Sequence, residues 1–211
     1  MKKILIIGGD GYIGSRLQKD LVPEYELTIL DSCWFSEPSS TTIQDDFSKI
    51  SKGFVSGFDV VILLAGHSSV NMCEGDLQNA FRNNIENFLS LVSKISSTQK
   101  FIYASSSSVY GNSGSQRVDE TYTDFIPHNH YDITKHVIDL YINKFDIEYY
   151  SLRFGTVNGF SPRTRSDVMI NSMIFNGKKN GSIKLYVKDV MRPILGISDL
   201  VSCLKKIIEN K

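Results

Sequence analysis

No apolar run in this chain is long enough to cross a bilayer, and neither sign of charge is in excess, since 23 Lys and Arg balance 23 Asp and Glu. The first absence argues against a membrane-spanning protein. The second removes the basic footprint expected of a nucleic-acid binder. Cysteine is scarce: Cys33, Cys73 and Cys203 are widely spaced, with no CxxC pair and no clustered histidines. That excludes a disulfide framework and a zinc site, predicts no bound metal, and fits reduced thiols in a cytoplasm. The opening MKKILII has an apolar run of only four residues before Gly8-Gly9-Asp10, too short for a secretory h-region. Repeats, heptads and low-complexity linkers are also missing. What remains is an ordinary globular composition, 41% hydrophobic and 22% charged, in 211 residues. A chain of that length buries roughly 70% of its unfolded surface in one domain.

Short apolar runs alternate with helical patterns. KILII (3–7), LTIL (27–30), VVILLA (60–65), FIYAS (101–105) and EYYSLRF (148–154) read as strands. Most lack polar alternation, which implies burial on both faces and hence a parallel sheet covered by helices. Helices are expected over 12–21, about 76–97 and about 129–145. In the second, Leu77, Phe81, Ile85, Phe88, Leu89 and Val92 form one apolar stripe. The βαβ rhythm predicts an α/β, doubly wound parallel sheet with right-handed crossovers. Beyond residue 155 the pattern changes to the polar loop NGFSPRTRSD, a short helix in VMINSMIF, a strand in GSIKLYV, and a helix in ISDLVSCLKKIIE capped by Ser198 or Asp199.

Three features carry chemistry. GGDGYIG (8–14) joins the first strand to the first helix, where backbone amides can bind a pyrophosphate and glycines permit its close approach. Two frames fit: Gly9, Gly11 and Gly14, or Gly8, Gly11 and Gly14. Asp31 ends the second strand at the spacing of a carboxylate that grips ribose hydroxyls, favouring NAD over NADP. Asp10, inside the turn, is expected to point away from the phosphates. In YDITK, Tyr131 and Lys135 lie four apart on one helix face behind a candidate N-cap, Asn129. A phenol is a poor base at neutral pH, and a neighbouring ammonium lowers its pKa towards use as a proton acceptor.

Together these residues resemble the extended short-chain dehydrogenase/reductases, in the NAD-dependent epimerase/dehydratase branch that acts on nucleotide sugars. GGDGYIG, DDF (45–47), LLAGHSSV (63–70), NNIENFLSLV (83–92), YASSSSVYG (103–111), YDITK, LRFGTVNGFSPR (152–163) and MRPILGISDL (191–200) carry the likeness. It implies a single Rossmann domain over 1–211, with partial substrate-binding insertions in 156–195. It implies a homodimer built through a four-helix bundle of the helices near 76–97 and 129–145. For NAD it implies Gly8, Gly11, Tyr12, Ile13 and Gly14 at the pyrophosphate and Asp31 at the ribose. Asp46 and Phe47 would lie by the adenine, Leu64, Ala65 and Gly66 under the cofactor, and Asn84 near its ribose. Ser106, Tyr131 and Lys135 become the catalytic set, with Tyr131 and Lys135 also touching cofactor. Ser68, Ser106, Thr156, Asn171 and Arg192 would line the nucleotide-sugar substrate. Members that dehydrate the sugar carry an Asp-Glu pair where this chain has Ser107 and Ser108, so the likeness implies simple redox, by an epimerase or a one-way oxidoreductase. Cys73 and His67 are weak candidates for an acid/base pair. Relatives continue beyond the segment that matches MRPILGISDL, so the sugar lobe is expected to be partial. The alternative expectation is a dinucleotide-binding sensor or scaffold without turnover.

Overall fold

The structure is a computed structural model, and it describes residues 1–35, 37–111, 113, 116–185 and 191–210. Six parallel strands form one sheet in the order β3-β2-β1-β4-β5-β6. They are β1 (Lys3–Ile7), β2 (Glu26–Asp31), β3 (Thr42–Gln44), β4 (Val60–Leu63), β5 (Lys100–Ser106) and β6 (Glu148–Phe154). The order reverses between β1 and β4, which opens a crevice at the strand C-termini where α/β proteins bind ligands.

Alternation along the central strands assigns residues to the two cores. Leu5, Ile7, Val61, Leu63, Phe101 and Tyr103 face one layer, packed against Phe88, Leu91, Val92, Ile138 and Ile142. Ile4, Ile6, Ile62 and Ile102 face the other, against Leu17, Leu21, Leu200, Val201, Leu204 and Ile208. The first layer is built by α5 (Asn87–Val92) and α6 (His130–Tyr141), the second by α1 (Tyr12–Leu21) and α8 (Ile197–Glu209). The far end of α8 is held to the bottom of the sheet. The buried Lys100 donates to the carbonyls of Ile207 (2.7 Å) and Asn210 (2.6 Å), a cation placed where the helix dipole favours one.

Five of the six expected strands and the α/β class are present, and the differences have local causes. β3 is a three-residue edge strand with Ile43 exposed, too short and too polar to signal itself. Two short helices, α2 (Lys52–Val55) and α3 (Val70–Gly75), are each started by a serine cap, Ser51 and Ser69. The long helix expected over 76–97 is three pieces: α4 (Leu77–Phe81), a π-helical turn (Arg82–Glu86) and α5. That turn breaks the single stripe, leaving Leu77 and Phe81 exposed while Ile85, Phe88 and Val92 enter the core. Helix α7 (Met169–Asn180) outlasts the expected segment and stops at Gly181 in the left-handed conformation. Residues 181–185 are not strand, and the rest of GSIKLYV lies outside the described residues. Instead β7 (Thr156–Asn158) pairs in parallel with β8 (Ile194–Gly196) as a separate two-stranded sheet. Helix α8 covers the expected segment, Ile197–Glu209, but its cap is Gly196 with no side-chain bond, so neither Ser198 nor Asp199 caps it. Among the described residues, no helix is long and apolar enough to cross a membrane.

Candidate active site

The glycine turn settles between its two frames on steric grounds. Gly8 has φ +83°, and a Cβ there would stand 2.4 Å from the Ala65 backbone nitrogen. A Cβ on Gly14 would stand 2.4 Å from the Gly9 carbonyl oxygen. Gly8 and Gly14 thus let β1, α1 and the end of β4 close on one another. Gly11, at the helix cap, has φ −78° and makes no side-chain cap bond. The first amides of α1 are left for an anion. A Cβ on Gly9 would stand 2.6 Å from Cγ2 of the buried Ile29 side chain, but Gly9 keeps φ in the ordinary range. The frame with Gly8, Gly11 and Gly14 is therefore the one whose backbone demands glycine at its first position.

Asp10 is buried and turned away from the helix end. Its carboxylate accepts from Thr42 Oγ1 (2.7 Å) and the Ser39 amide (3.3 Å), with Arg163 at 3.8 Å. Asp31 takes one amide on each oxygen, Asp10 N and Cys33 N, both at 2.8 Å. A carboxylate has about four acceptor positions, so each oxygen keeps room for another donor. Asp46 caps a short 3₁₀ turn through the Ser48 amide, and Phe47 is buried in the core. Tyr12 and Ile13 differ from the simplest expectation. The Tyr12 ring is buried and its hydroxyl donates to the Gly159 carbonyl at 2.7 Å, so the residue can offer an anion only its backbone. Ile13 is partly buried on the α1 core.

Past β4, the amides of Leu64 and Ala65 both donate to the Ile7 carbonyl, fixing the strand end. Gly66 follows with φ +140°, and a Cβ there would stand 2.7 Å from Asn84 Oδ1. Asn84, on the π-helical turn, accepts from the His67 amide (2.8 Å) and donates to the His67 carbonyl (3.0 Å) and to Thr134 Oγ1 (3.1 Å). It stitches this loop to α6. π turns recur at functional sites because they re-aim one side chain out of the helical register.

Helix α6 starts at the Asn129 cap, whose side chain accepts the Asp132 amide at 3.0 Å. Tyr131 lies beside Ser106, whose hydroxyl acts to lower the phenol's pKa. Ser106 in turn contacts Ser108 Oγ at 2.8 Å and accepts the Ser108 amide. Lys135 Nζ donates to the Ala104 carbonyl at 2.7 Å and lies 5.9 Å from the Tyr131 ring centre. Ser106, Tyr131 and Lys135 are thus brought together at the C-terminal end of β5. Burial raises the Tyr131 phenol above its ordinary value, while the Ser106 hydroxyl and the charge of Arg165 pull it down. Burial also drops the Lys135 ammonium to about 8, opposed by the negative charge of Asp139.

The four residues other than Ser106 expected to line a sugar are less alike. Ser68 is exposed and accepts from Arg165 NH1 at 2.9 Å. Thr156 starts β7 and its amide bonds the Pro193 carbonyl. Asn171 is buried, and its amide group is committed to Gly159 N, Tyr12 OH and the Arg165 carbonyl. Arg192 is exposed on the segment leading into β8. Cys73 and His67 do not form an acid/base pair. The Cys73 thiol is fully buried, points at the His67 carbonyl, and is pushed up to about 11.

Two charged residues at the site carry no motif of their own. Arg165 grips Asp167 through two bonds and Ser68 through a third. Asp139, one turn beyond Lys135, is a buried acceptor for four side chains. Asp139 was within reach of the four-residue spacing that picks out Tyr131 and Lys135; Arg165 was one of several arginines in a polar loop.

A protein-family model described as the NAD dependent epimerase/dehydratase family matches residues 4–211. The chain belongs to this family. It is 28% identical to Protein CapI of Staphylococcus aureus over 99% of this chain and 70% of that protein. It is also 28% identical to YtcB of Bacillus subtilis, described as an uncharacterized UDP-glucose epimerase, over 82% of this chain and 61% of that one. Among solved structures, the UDP-glucuronic acid 4-epimerase of Bacillus cereus, in complex with UDP-glucuronic acid and NAD, matches with a TM-score of 0.81 at 28% identity, covering 99% of this chain and 74% of that one. The UDP-N-acetylglucosamine 4-epimerase of Methanobrevibacter ruminantium M1 matches in fold at TM-score 0.86 and 22% identity, covering 100% of this chain and 74% of that one.

The turn geometry makes a paired prediction within this family member. Gly8→Ala combines a left-handed backbone with a backbone clash and is expected to cost ~3 kcal/mol or more in urea unfolding. Gly11→Ala meets only the Gly8 carbonyl, at 3.3 Å, and is expected to cost under ~1 kcal/mol. Equal losses at the two positions would contradict this reading.

Proposed function

We propose that the protein is an NAD-dependent enzyme that oxidises and re-reduces a nucleotide sugar, as a 4-epimerase or a one-way oxidoreductase, with Tyr131 moving the hydroxyl proton. The observation that supports this best is the convergence of Ser106, Tyr131 and Lys135 at the end of β5, with Lys135 Nζ on the Ala104 carbonyl and 5.9 Å from the Tyr131 ring, together with an α1 N-terminus that no side chain caps. The residues fit the cofactor. The amides at Gly11–Ile13 would hold the pyrophosphate, over a turn whose Gly8 and Gly14 leave no room for a Cβ. The two free acceptor positions of Asp31 suit vicinal ribose hydroxyls, and its negative charge disfavours a 2′-phosphate. When bound, NAD supplies an acceptor and donor of hydride at the sugar carbon.

The side chains then have distinct tasks. Ser106 orients the reacting oxygen, Tyr131 takes and returns its proton, and Lys135 supplies positive charge that favours the phenolate. Burial holds the Tyr131 phenol above its ordinary value in the protein alone, opposed by the charge of Arg165. Ser68, Thr156, Asn171 and Arg192 are assigned to the sugar-nucleotide side, Asn171 by shaping the loop at Gly159 and Arg165. Ser107 and Ser108 offer no carboxyl for elimination, which disfavours dehydration. A 5,6-dehydratase among the fold matches, at 22% identity, bears only on the fold.

We also assign a homodimer, in which α4 and α6 of two chains pack together. Leu77, Phe81, Ile133, Leu140 and Tyr141 leave large apolar side chains exposed on these helices. Sedimentation at micromolar concentration is expected to give a dimer that Leu140→Asp dissociates; a wild-type monomer would count against it.

Turnover is expected with one or more of a panel of UDP-, GDP- and dTDP-hexoses in the presence of NAD. Tyr131→Phe is expected to lower kcat by about 10²–10⁴ while leaving NAD affinity, measured by calorimetry, within a few-fold. Turnover unaffected by this substitution would remove the proposed role of Tyr131.

A further inference from the structure

Helix α6 carries a third charged residue in line with Tyr131 and Lys135. Asp139 lies four residues beyond Lys135 on the same face, and its side chain is only 5% exposed. Tyr103 OH (2.8 Å) and Ser151 Oγ (2.7 Å) donate to Oδ1, while Ser105 Oγ (3.0 Å) and Arg153 Nε (2.9 Å) donate to Oδ2. Four donors saturate an ionised carboxylate.

The donors are two adjacent same-face rungs of the sheet. Tyr103 pairs with Ser151, and Ser105 with Arg153, across β5 and β6. The rung between them is Ala104–Leu152, and the Ala104 carbonyl is the one that receives Lys135 Nζ. Next along β5 is Ser106. Its far flank is tied to the same carboxylate through Arg153, which donates to Tyr110 OH at 2.9 Å and stacks 4.9 Å over that ring.

We propose that Asp139 is the positioning residue of this site, docking α6 on the β5–β6 rungs that bracket Ala104 and thereby setting where Lys135 and Ser106 stand relative to Tyr131. The role rests on the function proposed above, and it adds an electrostatic effect to the geometric one. Lys135 faces Asp139 and Tyr131 on its own helix, Cys73 on α3 and the Ala104 carbonyl on β5. The Cys73 thiol is neutral below about 11. Asp139 is therefore the one of these groups that carries negative charge around pH 8. Its carboxylate opposes the fall of the Lys135 pKa caused by burial. Asp139→Asn removes that support and leaves the Arg153 guanidinium without its carboxylate, so the Lys135 midpoint moves down.

The test reads Lys135 directly in the purified protein without cofactor or sugar, by trace acetylation with acetic anhydride from pH 5 to 10 and peptide mass spectrometry. The wild-type midpoint is expected at about 8. A fall of one pH unit in Asp139→Asn reduces the charged fraction at pH 8 about fivefold. Asp139→Glu is expected to restore the midpoint towards the wild-type value. An unchanged midpoint in folded Asp139→Asn, or an equal fall in Asp139→Glu, overturns the proposal. If Asp139→Asn fails to fold, the double substitution Asp139→Asn/Arg153→Gln removes both charges together, which buried pairs tolerate better, and the same criteria apply. Because the readout needs no turnover, failure of every sugar nucleotide to react would refute the proposed activity without touching this result. Where turnover is found, the alkaline limb of its pH profile is expected to shift down in Asp139→Asn with the Lys135 midpoint.

Discussion

A single buried carboxylate decides how the chemistry of this protein is held. Asp139 accepts four side-chain hydrogen bonds from two neighbouring strands. Without them, α6 would be fastened to the sheet by apolar packing around Ile138 and Ile142, which tolerates small slides. Hydrogen bonds of fixed length do not. The serine on β5 and the tyrosine and lysine on α6 come from different elements, so their mutual geometry depends on that docking. Losing one partner of such a network costs more than the bonds gained, because the rest are left buried and unmatched.

The opposite wall of the crevice depends on the absence of side chains. At Gly8 and Gly14 the backbone of the first βα turn comes so near to Ala65 and Gly9 that a methyl group would collide. This brings the amide end of α1 to the reversal in strand order, where β1 and β4 diverge. Asp10 sits in the same turn, yet its charge is spent on Thr42 and Ser39, well away from the helix end. A helix N-terminus that no side chain caps and a buried carboxylate thus coexist within a few residues.

Much of this was legible in the sequence, for reasons of range. The continuous apolar runs of the strands, the glycine turn, the Asn129 cap and the spacing of Tyr131 and Lys135 are local patterns, and each maps onto the structure. The Asp139 network was not legible, since it needs the pairing of Tyr103 with Ser151 and of Ser105 with Arg153, which are nearly fifty residues apart. The short strands β3, β7 and β8 were missed because three residues carry too little pattern. The π turn hid behind a regular apolar spacing, yet it is what aims Asn84 at His67 and Thr134. The inward turn of Ser105 appeared only in three dimensions. Ser105 donates to Asp139, whereas Ser106 contacts Ser108.

The central claim is redox at a sugar carbinol with Tyr131 as the proton carrier and no carbon acid involved. Nuclear magnetic resonance of the sugar after turnover in D₂O tests it most directly. An epimerase returns the original hydrogen to the reacting carbon, and a one-way oxidoreductase exchanges it only with the cofactor as hydride, so the account predicts product with no deuterium on any ring carbon. Deuterium appearing at a carbon adjacent to the reacting centre would mean elimination or enolisation, and would contradict it.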